Sequence, residues 1–167
     1  MIRDMLLSDD HSAVSEGLDA LERELRKGHG CGDMLDVLVI LSGSGDVDIL
    51  RKVTWCAAKT AQNKACDMRT AELLVKLAVC GDAEVRENAA WGLGEAAGTV
   101  EMNEHSANAV LSLLDDGCSS VKVTAAWAAG RLRHKCGYFS KDIEMKLNAL
   151  LNDPSEHVRS AAAFALE

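Results

Sequence analysis

Aromatic side chains are scarce in this chain, at 4% of its 167 residues, and Pro154 is its one proline. Strand-rich folds draw heavily on aromatic residues and on turn-forming proline, so both shortages point to helices. Long apolar runs are missing as well: nothing approaches the roughly 20 consecutive apolar residues that cross a bilayer. The opening Met1-Ile2-Arg3-Asp4, followed by acidic residues, lacks the order of a signal peptide. Cysteine occurs six times (Cys31, Cys56, Cys66, Cys80, Cys118, Cys136) but never as a CxxC pair or at a recurring disulfide spacing. The expectation is reduced thiols in a cytoplasmic protein.

Positive charge is in deficit too. Eighteen Lys and Arg stand against 26 Asp and Glu, a net charge of −8, and residues 1–36 hold nine acids to four bases. Such a surface favours solubility and opposes binding to nucleic acid or anionic membrane.

What the chain does have is repetition. Val85-Arg86-Glu87-Asn88-Ala89-Ala90-Trp91-Gly92-Leu93-Gly94 returns about 36 residues later as Val121-Lys122-Val123-Thr124-Ala125-Ala126-Trp127-Ala128-Ala129-Gly130. It is anticipated at Ile49 to Trp55 and repeated once more from Val158 to Leu166. A period of this length marks a stacked array of two-helix units. One domain, 1–167, is expected, with repeats near 1–32, 33–66, 67–102, 103–139 and 140–167, hence about ten helices.

The first helices carry leucine stripes at spacings of three and four: Leu35, Leu38 and Leu41; Leu74 and Leu77; Leu111 and Leu114; Leu147, Leu150 and Leu151. Asp33, Asp67, Asn103 and Ser140 precede them as N-cap types. Asp46, Asp82 and Ser155 do so for the second helices, with Ser119 replacing Cys118. The first unit is irregular, and either Ala13 or Val14 can take the place of Val85 there.

Angular placement divides each second helix in two. At about 100° per residue from Val85, residues Ala89, Leu93 and Ala96 fall within about 80° and form a buried stripe, whereas Trp91 falls near 240° beside Glu87, Asn88 and Glu95. The same geometry turns Trp55 outward among Arg51, Lys52 and Lys59, Trp127 among Val123, Thr124 and Arg131, and Phe164 beside Ser160 and Ala161. Because stacked helices lie about 8–10 Å apart, these rings form one stripe. Small residues at 89, 90, 92, 94, 96 and 97 let neighbours approach closely.

Val-Arg-x-x-Ala-Ala-x-x-Leu-Gly, preceded by a capping Asp or by Pro-Ser, resembles the HEAT-like repeat of the phycobilisome-lyase type over residues 33–167. The resemblance implies an all-α, right-handed α-solenoid whose second helices line a concave face, one that binds another protein in many members. Related activities can be tested position by position. Deoxyhypusine hydroxylase, a HEAT-like enzyme, holds iron with His-Glu dyads where this chain has Arg51-Lys52, Glu87-Asn88, Val123-Thr124 and Ser160-Ala161, and Arg or Val cannot ligate iron. Bilin lyases of this type act as heterodimeric subunits larger than this chain, and no residue here marks their chemistry. HEAT-like DNA glycosylases have a basic concave face, whereas here Arg51, Lys52, Lys59 and Arg131 are opposed by Glu87 and Glu95.

Chemistry-bearing motifs are otherwise missing. No nucleophile elbow, phosphate loop or HExxH occurs. His29-Gly30-Cys31 and His134-Lys135-Cys136 lie three units apart, with two ligands each where structural zinc needs four. The five histidines (His11, His29, His105, His134, His157) occupy unrelated repeat positions. Arg86, Lys122 and Arg159 are expected to bridge adjacent units. The expected function is a non-enzymatic scaffold without cofactor or metal, binding a protein or peptide through Trp55, Trp91, Trp127 and Phe164. The charged side chains of Arg51, Lys52, Lys59, Glu87, Glu95 and Arg131, with the polar Asn88, would orient the partner. A lyase-like subunit and a weak nucleic-acid-binding module are the alternatives. The ending inside a second helix, with Leu166-Glu167 matching a common cloning scar, suggests an uncapped repeat able to pair in a homodimer.

Overall fold

A computed structural model describes residues 1–101 and 103–167, which form ten α-helices. They are α1 (Ile2–Leu6), α2 (His11–Arg26), α3 (Leu35–Leu41), α4 (Val47–Gln62), α5 (Met68–Leu77), α6 (Ala83–Ala96), α7 (Glu104–Leu113), α8 (Ser119–Cys136), α9 (Lys141–Leu150) and α10 (Glu156–Leu166). Met102, at one expected repeat boundary, lies outside the described residues.

Helices pair in sequence and stack in two layers. Each even-numbered helix packs on the odd-numbered helix before it and on the even-numbered helices of adjoining units, so α2, α4, α6, α8 and α10 make one layer. The other layer is looser, with α5 touching α7 and α7 touching α9. The described residues therefore form an all-α solenoid of two-helix units.

Local chemistry fixes the helix starts. Asp67, Asn103 and Ser140 accept from the backbone N–H groups of Thr70, Ser106 and Ile143, while Asp46 and Asp82 accept from Ile49 and Val85. These bonds satisfy first-turn amides that have no partner within the helix. Three expected caps differ. Asp33 lies within a 3₁₀ turn, Gly32–Met34, that leads into α3, and so caps nothing. Ser119 is already helical, and Cys118 holds the N-cap position of α8 without a side-chain bond. Ser155 stands at the N-cap of α10 but makes no capping bond. In these last two units an acid two residues earlier orders the turn instead: Asp116 and Asp153 accept from the N–H groups of Cys118 and Ser155.

The buried stripe of α6 lies where the angles placed it, with Val85, Ala89, Leu93 and Ala96 sealed from solvent. In the irregular first unit Val14 is buried and Ala13 only partly so, which settles that register. Glycine lets α6 be squeezed from both sides. A Cβ on Gly92 would lie 2.7 Å from Leu74 and 2.9 Å from the Cα of Ala58, and one on Gly94 would lie 2.4 Å from the Trp127 ring.

Arginine and lysine clamp successive units. Arg86 donates to Asp116 of the next unit at 2.7 and 3.0 Å, and to the carbonyls of Cys80 and Gly81 in its own. Lys122 pairs in the same way with Asp153. Arg159 repeats the own-unit half of the pattern, donating to the carbonyls of Asp153 and Pro154. Leu50 occupies the corresponding place in unit two, and its neighbour Arg51 supplies the clamp, to Asp82 at 2.8 Å.

Candidate functional site

The layer formed by the second helices carries the candidate residues. Their spacing of one repeat unit, with each helix oriented by its buried valine, alanine and leucine stripe, brings Trp55, Trp91 and Trp127 into one row across α4, α6 and α8. All three are half-buried. The Trp55 and Trp91 rings are tilted at 54° with centroids 6.4 Å apart. The edge of Trp127 lies over Gly94, so this ring packs on the flank of the neighbouring helix as well as bordering solvent. Phe164 is different: it is 62% exposed and pairs with no other ring among the described residues.

Between α6 and α8 the row opens into a recess of about 440 Å³, lined by Glu87, Asn88, Trp91, Val123, Thr124 and Trp127. Val123 and Thr124 stand one repeat on from Glu87 and Asn88; the helical angles set them beside Trp127, but they were not among the residues expected to bind the partner. A second recess, about 180 Å³, is lined by Lys64, Arg131 and Lys135 together with Gly98 and Thr99. Lys64 and Lys135 belong to helix ends and carried no repeat signal. Glu95 also lines this second recess, its carboxylate accepting from Trp91 Nε1 at 3.3 Å and from Arg131 at 3.4 Å.

The structure redistributes the charges expected on this face. Arg51 donates to Asp82, and its guanidinium holds that carboxyl below the usual carboxylate range. Lys52 is tied to Asp19 and Ser15 on α2, and Lys59 to Gln62. The basic patch expected around Trp55 is thus largely engaged within the chain. Arg26, from the first unit, lies over the Trp55 ring at 4.7 Å, and Arg131 lies over Trp127 at 5.5 Å. The irregular register of the first unit left the Arg26 contact without a sequence signal.

Groups that do chemistry do not converge here. Among the described residues no three His, Cys, Asp or Glu side chains are placed to hold a metal ion. All six cysteines are free, and burial pushes the Cys66 thiol up to about 11. Cys118 shifts the other way, its thiolate favoured by the Ser120 hydroxyl and by the first-turn amides of Ser120 and Val121. What the face offers is apolar ring surface with a few polar groups at its rim, an arrangement suited to binding.

The fold is a helical-repeat solenoid similar in architecture to designed armadillo repeat proteins. No protein-family model and no curated protein sequence matches the chain. Solved structures do. A designed armadillo repeat protein in complex with the peptide (KR)4 matches with a TM-score of 0.73 at 19% identity, over 99% of this chain and 79% of that one. The complex of CpcE and CpcF of phycocyanin lyase from Nostoc sp. PCC7120 matches with a TM-score of 0.74 at 19% identity, over 99% and 62%. An engineered protein matches with a TM-score of 0.74 at 22% identity, over 99% and 76%. At these identities the likeness is one of fold. No helix among the described residues is long and apolar enough to cross a membrane.

Proposed function

We propose that the chain is a non-enzymatic scaffold of the phycobilisome-lyase HEAT-like type that binds a protein segment along the concave side of its solenoid, the face of the second helices. The observation that carries this reading is the recess between Trp91 and Trp127, where two half-buried indoles border solvent beside a carboxylate and a carboxamide. Aromatic side chains in such settings supply much of the binding energy of protein interfaces, because they bury a large apolar area at small entropic cost. Two structural neighbours were solved with polypeptide partners, one a peptide and one a second protein chain. That is consistent with a partner lying on this fold.

The test is selection of binders from a displayed random-peptide library on the immobilised protein. Thr124→Arg, which fills the recess from its wall, should weaken the selected peptides at least tenfold, whereas Ile40→Glu on the exposed side of α3 should leave them unchanged. Failure to select any peptide, or equal binding to the Thr124→Arg protein, would refute the reading. A visible-absorbing pigment carried by the purified protein would favour a lyase-like subunit instead.

A further inference from the structure

Taking the groove as a peptide-binding face, the geometry points to a specific chemistry for its occupant: the Trp91–Trp127 recess receives the side chain of a lysine or arginine from the bound segment. Three observations converge on it.

The first concerns the indoles. A cation over an indole face is drawn by the negative potential of the ring. The chain supplies such a cation itself to Trp55, through Arg26, and to Trp127, through Arg131. Trp91 has none among the described residues. Its ring is fixed by Trp55 on one side and by the bond from Nε1 to Glu95, and it also borders the open recess.

The second concerns Glu87. Its carboxylate stands at the recess and accepts one hydrogen bond, from the Ser120 hydroxyl at 2.7 Å. No Lys, Arg or His among the described residues pairs with it. Asn88 adds a carboxamide to the same wall. A cationic head entering between the indoles would meet ring face, carboxylate and amide oxygen together.

The third is the charge balance of the surrounding face. Arg51, Lys52 and Arg131, which would repel a basic partner if free, are held by Asp82, Asp19 and Glu95. Lys64 and Lys135 line the second recess together with Glu95 and Arg131, and neither lines the aromatic one. Uncompensated charge within the recess is therefore negative, on a protein of net charge −8. Attraction of this kind selects the partner and speeds its approach.

The experiment compares three octapeptides by calorimetry and tryptophan fluorescence: alternating Lys-Arg, the same peptide with acetyl-lysine and citrulline in place of the cations, and an uncharged Leu-Ser repeat. The cationic peptide should bind at least tenfold tighter than its neutralised form and weaken as salt is raised. Glu87→Gln, which keeps an acceptor for Ser120, should weaken the cationic peptide about fivefold or more, and Asn88→Asp should tighten it. Equal binding of charged and neutralised peptides, or indifference to both substitutions, overturns the cation site. Binding of the Leu-Ser peptide in preference would do the same while leaving groove binding intact. If none of the three binds and library selection also fails, the groove reading falls with it.

Discussion

Trp127 illustrates how one residue can serve both packing and display. Its ring borders the recess, yet its edge fits over Gly94, where a methyl group would come within 2.4 Å. Gly94→Ala should therefore lower stability by about 1–3 kcal/mol through overpacking, although alanine is the better helix former by about 1 kcal/mol. Trp127→Ala should cost about 2 kcal/mol by removing a half-buried ring. The two changes act on one contact, so the double variant should be less destabilised than their sum by 0.5 kcal/mol or more. Denaturant melts of the four proteins measure this, and strict additivity would deny the contact. Trp127→Ala is for the same reason a poor probe of binding, and Thr124 and Glu87 are better ones.

Between elements, the clamps from Arg86 to Asp116 and from Lys122 to Asp153 recur at the same place in successive units. Both carboxylates are almost enclosed, with 8% and 7% side-chain exposure, and each also orders the turn before the next helix. The Arg86 guanidinium holds Asp116, and the Lys122 ammonium holds Asp153, below the usual carboxylate range. An acid whose folded pKa is depressed contributes stability that is full above its unfolded value, about 3.9, and is lost as pH falls through the folded value. Thermal stability should accordingly hold from neutral pH down to about pH 4 and then decline. Asp116→Asn should cost about 1–2 kcal/mol at pH 7 and shrink the decline below pH 4. An unchanged acid limb in that variant would show that the clamp is not what titrates.

For the whole molecule, stacking means that each unit is stabilised by its neighbours and by little else. Helix α6 has a second helix on both flanks, α4 and α8, whereas α10 has only α8. Amide hydrogen exchange should therefore be slowest in α6 and α8 and fastest in α1 and α10, following the local opening free energies. Uniform protection across all units would instead indicate one all-or-none core.

The sequence by itself determined the solenoid, because a period of about 36 residues and a fixed stripe of valine, alanine and leucine leave few other ways to bury apolar surface. Helix caps at Asp46, Asp67, Asp82, Asn103 and Ser140 were legible because they depend on residues only two or three apart. The outward turn of Trp91 followed from helical angles alone. Contacts between units could not be read this way. That Asp19 and Asp82 engage the bases around Trp55, that Arg26 covers its ring, and that Trp127 settles on Gly94 depend on side chains about 30 to 40 residues apart meeting across a helix interface. Periodicity places a residue on a face, whereas only tertiary packing decides which charges on that face are already paired and which, like Glu87, remain open to a partner.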